Sequence, residues 1–271
     1  MFFPIAYYNN EFQLTQDISI NSKDLGLHRG YSVFDFFKLK DLANPNFDDY
    51  MRRFFNSCAS VKLYIKKDRE ELYNIANNVL IQNNTRDGYI KIIATAGSSS
   101  NGFNHDNNPS LLVMAMPLKQ RNEQYYTKGT KLLLSSYRRD IPQVKTTNYM
   151  HAAMHADILK ESKAIDLLYH DDGLIREAAR CNIFLIKDTE LFTPSAHILH
   201  GITRKRVLNT DIGIAHNEQD IPLNMLESVD EIFITSTTKG VMPIVQVDDL
   251  IIGSGKVGPI TKRYMEKING F

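Results

Sequence analysis

The chain has 271 residues, of which 43% are hydrophobic and 23% charged, and its net charge is +1. That length accommodates one large domain or two of ordinary size, and the near-neutral balance gives no field that would gather nucleic acid or an anionic membrane. No apolar run approaches the ~20 residues needed to cross a bilayer, the opening MFFPIAYYNNEF has no basic signal-like start, and Cys58 and Cys181 stand far apart, so a soluble cytoplasmic protein with reduced thiols is expected.

In chain order, DDYMRRFFNS (48–57) reads as a helix, and residues 68–84 place Leu72, Ile75, Ala76, Val79 and Leu80 on one helical face. GYIKIIATAG and SLLVMAMPL read as strands joined by the polar loop SSSNGFNHDNN. After Pro117, LKQRNEQYYTKG is polar enough to link two domains. KLLLSSYRR then predicts a strand. From Asn148 to Ser162, the residues Met150, Ala153, Met154, Ile158 and Leu159 form one helical stripe. AIDLLYH and LIREAA flank Asp172-Gly173, a hairpin signal because this pair tolerates positive φ, and CNIFLIK and ELFTPS predict a second hairpin around Asp188-Thr189. ILHGITRKRVLNT reads as a loop entering a helix, DEIFITST and MPIVQVDD as strands, and GPITKRYMEKI as a closing helix. Strand pairs joined by tight turns, with helices interspersed, predict an α+β fold with largely antiparallel sheets.

Several motifs carry little chemistry. His151 and His155 have the spacing of a zinc pair, but Ala152 fills the place of the zinc-protease glutamate and no third ligand suggests itself, so no metal site is expected. GSGKVGP has Val257 after its lysine, where a phosphate loop requires Ser or Thr, and reads as a turn. Arg138-Arg139 reads as a solvated strand end, with substrate contact as the alternative.

Others point to a phosphorylated ligand. HGITR places Gly201 before a helix whose first N–H groups, on Ile202 and Thr203, can bind an anion. TSTTKG (235–240) ends a strand with hydroxyls and a glycine, and Arg53 can supply the charge a phosphate needs. Glu177, within LIREAA, can pair with a pyridine nitrogen, and Lys145 in QVKTTNYM is a candidate Schiff-base lysine. A helix cap, a strand-end turn, a surface arginine, an outward glutamate and a solvated lysine are the ordinary alternatives. The helix start, the strand-end turn, Arg53 and Lys145 together suggest pyridoxal 5′-phosphate, whereas the spacing around Glu177 by itself favours an outward glutamate.

HRGYSVFDFFKL (28–39), DDYMRRFFNS (48–57), VKTTNYM (144–150), DGLIREAARCNIFLI (172–186), LHGITRKRV (199–207) and TSTTKGVMPI (235–244), in this order, resemble the class IV aminotransferases. These are pyridoxal-phosphate enzymes of fold type IV, among them branched-chain aminotransferase, D-amino-acid aminotransferase and aminodeoxychorismate lyase. The resemblance implies a smaller N-terminal α/β domain (1–118) and a larger C-terminal cofactor-binding domain (119–271), with the cofactor between them, in a homodimer. It implies that Lys145 carries the cofactor and moves the proton between Cα and C4′, and that Glu177 holds the pyridine nitrogen. Arg53, the backbone of Ile202 and Thr203, and the Ser236-Thr237 turn would grip the phosphate. Tyr149 resembles the tyrosine that bonds the ring hydroxyl in branched-chain enzymes, one residue closer to the lysine than there. For the substrate, Phe34 lines the pocket, Lys91 stands where branched-chain enzymes carry arginine, and Tyr89 matches their tyrosine. Ala96 replaces the arginine of the D-amino-acid and lyase patterns, and Arg29 is another candidate carboxylate anchor. Transamination between an amino acid and a 2-oxo acid is the expected activity, with aminodeoxychorismate lyase, which eliminates pyruvate, as the alternative. A non-catalytic binding protein would need neither Lys145 nor Glu177.

Overall fold

A strict alternation of sides gives the first part of the chain its sheet. In the computed structural model, which describes residues 2–270, β1 (Ile5–Tyr8), β2 (Glu11–Leu14), β3 (Ser32–Leu39), β4 (Gly88–Thr95) and β5 (Ser110–Met116) pair antiparallel in the order β2-β1-β5-β4-β3. Along β3, Val33, Asp35, Phe37 and Leu39 are buried, while Phe34, Phe36 and Lys38 point to the other face and are half-buried. The β3–β4 register sets Phe34 opposite Ile93, Phe36 opposite Lys91 and Lys38 opposite Tyr89, so these six side chains share a face.

The helices of this unit are α1 (Leu25–Arg29), α2 (Phe47–Ser60) and α3 (Arg69–Gln82). α2 buries Phe47, Tyr50, Met51, Phe54 and Cys58, a three- and four-residue spacing that makes one apolar face, and it packs on β3. α3 opens with a capping box in which Asp68 and Glu71 satisfy each other's backbone N–H groups, and it buries the predicted stripe from Leu72 to Leu80.

The second sheet has ten strands: β6 (Thr130–Ser136), β7 (Ala164–Asp171), β8 (Leu174–Ala178), β9 (Asn182–Lys187), β10 (Glu190–Pro194), β11 (His216–Gln219), β12 (Ile221–Pro222), β13 (Glu231–Ser236), β14 (Gly240–Val247) and β15 (Leu250–Ile251). Its order is β11-β10-β9-β13-β14-β6-β7-β8-β12, with β15 on β14. Most pairings are antiparallel; β10–β11, β14–β6 and β6–β7 are parallel. Both predicted hairpins form, with positive φ at Asp172 and Gly173 and again at Asp188 and Thr189. Around this sheet lie α4 (Glu123–Thr127), α5 (Met150–Met154), α6 (Ala156–Glu161), α7 (Ile202–Leu208) and α8 (Pro259–Ile268). Phe184 and Phe233 stack at 4.9 Å, and Tyr264 of α8 closes on Phe233 at 5.4 Å.

Packing divides the chain into two compact units. The first holds residues up to Gln120 together with Val144–Asn148; the second holds Arg121–Gln143 and everything from Tyr149 onward. The five residues around Lys145 thus belong to the first unit, although their neighbours on both sides belong to the second.

The single helix expected over 148–162 is two short ones. His155, at φ −93° and ψ 9°, breaks the run, and its Nδ1 lies 2.7 Å from the His151 carbonyl, competing for an acceptor the next turn would use. The stripe also faces outward: Met150, Met154 and Ile158 are exposed rather than core. Among the described residues no helix is long and apolar enough to cross a membrane, no group of three His, Cys, Asp or Glu could hold a metal, and both cysteines are free and buried.

Two substitutions separate capping from packing in the first unit. Asp68→Ala should cost about 1 kcal/mol, and Phe54→Ala, which empties a fully buried site, about 3–5 kcal/mol. Urea midpoints at unchanged slope measure both; a smaller loss for Phe54→Ala than for Asp68→Ala would contradict this account.

Candidate active site

Backbone pairing positions Lys145. The Phe34 N–H donates to the Lys145 carbonyl (2.8 Å), Val33 and Thr146 form an isolated antiparallel bridge, and the Thr147 N–H donates to the Ser32 carbonyl (3.2 Å). The segment therefore lies along β3 as a short added strand, and the Ser32 and Thr147 hydroxyls bond beside it. Ser57 Oγ of α2 accepts the Lys145 N–H at 3.3 Å. Pinned in this way, the side chain sets its Nζ 4.6 Å from the centre of the Phe34 ring.

Lys91 reaches the same ring, with Nζ 5.1 Å from its centre, so two amines lie against one aromatic side chain. Phe36 and Tyr89 stack beside them with centroids 5.2 Å apart. Burial lowers the pKa of Lys91 below its ordinary value, because an ammonium on a half-dry aromatic face loses hydration. Phe34, Tyr89 and Lys91, three of the four substrate-contact candidates, thus occupy one face of the sheet. Arg29 is not on that face: it is exposed at the end of α1 and donates to the carbonyl of His28 (3.2 Å).

Arg53 lies one turn before Ser57 on α2. Its Nε and Nη2 donate to Asp35 Oδ2 and Oδ1 at 2.9 and 2.6 Å, a two-pronged ion pair on a fully buried carboxylate. Sequence reading missed Asp35; the signal was an acidic residue in the buried phase of a strand, where a charge needs a partner.

In the second unit, Glu177 is buried on β8 rather than turned to solvent. Its Oε1 accepts from Arg139 Nε (2.9 Å) and Nη2 (2.7 Å), and its Oε2 accepts the Leu199 N–H (3.0 Å). Arg139 also donates from Nη2 to the Pro142 carbonyl and is itself buried. This corrects the reading of Arg139 as a solvated strand end: β6 stops at Ser136, and the chain beyond it turns inward. Arg138 does remain half-exposed, paired with Asp171 at 2.9 Å.

Gly201 precedes α7, and no side chain caps the helix's first turn, which carries Ile202 and Thr203. A Cβ on Gly201 would lie 2.2 Å from Asn182 Oδ1, and Asn182 is tied down by its Nδ2–H bond to the Leu199 carbonyl (2.7 Å). Glycine is therefore required by close approach. At the β13–β14 turn, Ser236 Oγ accepts the Lys239 N–H (3.2 Å), and the preceding Thr235 Oγ1 is buried with no protein partner. Thr237 follows in the same turn. Tyr149 stands at the N-terminus of α5, where its carbonyl accepts the Ala153 N–H (2.9 Å). Its hydroxyl adds, after burial, Asp166 and Tyr137, to the forces that raise the pKa of Tyr169. His151 stacks on Tyr137 at 4.0 Å, with Nε2 2.8 Å from Ser135 Oγ.

Known proteins match this chain over most of its length. The family described as amino-transferase class IV matches residues 32–247. A Methanocaldococcus jannaschii protein, provisionally named branched-chain-amino-acid aminotransferase, is 30% identical over 96% of this chain and 94% of its own. A D-alanine aminotransferase of Listeria monocytogenes is 28% identical over 93% of this chain and 91% of its own. Among solved structures, Escherichia coli branched-chain amino acid aminotransferase superposes with a TM-score of 0.88 at 25% identity, covering 97% of this chain and 92% of that one. The corresponding T.th. enzyme, solved with pyridoxamine 5′-phosphate, gives 0.87 at 25% identity, with the same coverage. The α+β architecture with its two sheets is the fold of these enzymes, and the chain belongs to the class IV aminotransferase family.

Proposed function

We propose that the protein is an amino-acid aminotransferase of the branched-chain or D-amino-acid type, dependent on pyridoxal 5′-phosphate and acting as a homodimer. The observation that carries the reading is Lys145, an amine held by backbone pairing against the Phe34 ring, which the partly desolvated amine of Lys91 also approaches. The names of the relatives agree with it, as does the pyridoxamine 5′-phosphate of the second branched-chain enzyme structure.

The residues fit the cofactor. Phosphate is a ligand for an uncapped helix start and for the orphaned Thr235 hydroxyl beside Ser236-Thr237. Arg53 would add charge, and Ile202 and Thr203 their backbone N–H groups. Glu177, buried and oriented, would accept from the ring nitrogen, and Tyr149 would bond the ring hydroxyl. When bound, the cofactor supplies an electron-withdrawing ring that stabilises charge left at Cα when a proton departs. Lys145 would hold the cofactor and, as a free amine, would carry the proton between Cα and C4′. Lys91 would take the substrate carboxylate as a point charge, without the fork an arginine offers, and Phe34 and Tyr89 would line the substrate's apolar part. Arg29, off that face, is a secondary candidate for the carboxylate. Exposed Met150, Met154 and Ile158 offer apolar surface for a second copy of the chain.

Borohydride reduction after incubation with pyridoxal 5′-phosphate should leave a pyridoxyl group on Lys145, read by peptide mass spectrometry. Lys145→Ala should fold, lose that adduct and lose turnover by at least about a hundredfold; retention of either would overturn the reading. Pyruvate release from aminodeoxychorismate without an amino acceptor would instead favour the lyase.

Lys91→Met should raise the Michaelis constant for the amino acid while stabilising the fold. Burial lowers the folded pKa of Lys91 below 10.5, so between that lowered value and 10.5 the unfolded chain binds more proton. The wild type's deficit is therefore fully present at neutral pH and closes as pH rises through that window. Denaturation of both proteins at pH 7 and pH 11 measures it, and a gap that widens with pH contradicts the assignment.

A further inference from the structure

The Glu177 carboxylate does not stand alone, and what holds it bears on how the site would treat a ring nitrogen. Arg139 brings two donors, Nε and Nη2, onto the single oxygen Oε1 at 2.9 and 2.7 Å, and the Leu199 N–H reaches Oε2 at 3.0 Å. The guanidinium is fixed in turn by its bond to the Pro142 carbonyl, three residues before Lys145 in the chain. Both partners are more than nine-tenths buried, so the pair is shielded from solvent screening. A charge-assisted contact of this kind sets both the place and the charge of the carboxylate. A glutamate on a strand has three side-chain torsions of its own, and a plain apolar pocket would leave them to find a partner.

We infer that Arg139 is a positioning residue: it clamps Glu177 by Oε1 as an ionised acceptor, so that the carboxylate meets the ring nitrogen of the bound cofactor in one orientation. This deepens the proposed function and rests on its assignment of the ring nitrogen to Glu177. A purely structural ion pair would make a different claim, since its loss would weaken the fold and every mode of cofactor binding alike. A clamp acting through Glu177 matters only to a ligand that carries the nitrogen.

That difference gives the test. Apo protein is titrated with pyridoxal 5′-phosphate and with its carbocyclic analogue, in which a C–H replaces the ring nitrogen, and the two dissociation constants are compared. Arg139→Lys keeps the buried charge but not the two-donor grip, and Arg139→Gln removes both. Wild type should prefer the nitrogen-bearing cofactor. Arg139→Gln should lose about tenfold in affinity for it, the worth of one charged hydrogen bond, while binding the analogue within about twofold of wild type. Arg139→Lys should fall between, and it carries the test by the same ratio if the glutamine variant does not fold. Glu177→Gln should erase the preference, and adding Arg139→Lys to it should cause no further loss. Equal losses for both ligands, or an unchanged preference in the Arg139 variants, overturns the clamp while leaving the proposed function standing. Failure of wild type to bind either ligand overturns the proposed function itself.

Discussion

The segment Val144–Asn148 is held to the edge of β3 by main-chain hydrogen bonds, and the candidate site depends on that attachment. Backbone pairing fixes the position of Cα without drawing on the side chain, so the side of the strand from which the Lys145 side chain leaves follows from the register. Five residues leave the second unit to join the first, and the bridge between Val33 and Thr146 sets that register. Period-two alternation then decides the rest. With Val33 and Asp35 turned to the buried side, Phe34 must face the opposite way, and Lys145 and Lys91 each lie against its ring.

Three buried carboxylates show how charge is matched in this protein. Asp35 has Arg53, Glu177 has Arg139, and Glu231 accepts the backbone N–H groups of Ile260 and Thr261 at the start of α8. The last of these is a structural use, a carboxylate at a helix N-terminus completing the orphan donors there. The first two have guanidinium partners, whose planar forks fix a carboxylate's direction as well as its charge. Isolated ionised groups cannot persist in such surroundings, and both guanidinium pairs include a candidate site residue. By contrast Lys91 lies against the Phe34 ring, at a cost in hydration.

Elements with strong local signals were legible from the chain alone. The α3 stripe, the two hairpins with positive φ at both turn residues, and the helix after Gly201 follow from periodicity and turn chemistry that involve only near neighbours. The 148–162 segment shows where such reasoning ends. Its apolar spacing is helical, yet the stripe lies on the surface and His155 interrupts it, because periodicity reports which residues share a face and not what that face meets. Likewise Arg139 looked like the wet end of a strand; that β6 stops three residues earlier and the chain turns inward is a property of packing.

From the sequence by itself came the α+β class, the order of the elements, the family resemblance, and the identity of Lys145, Glu177, Arg53 and the glycine before α7 as candidate residues. These rest on local spacing and on motifs read in order along the chain. Only the tertiary structure decided which neighbours those residues have: Asp35 for Arg53, Arg139 for Glu177, Phe34 for both lysines. The two carboxylate pairs join positions 18 and 38 residues apart, and contacts at that range are set by sheet register and burial, which no local pattern encodes.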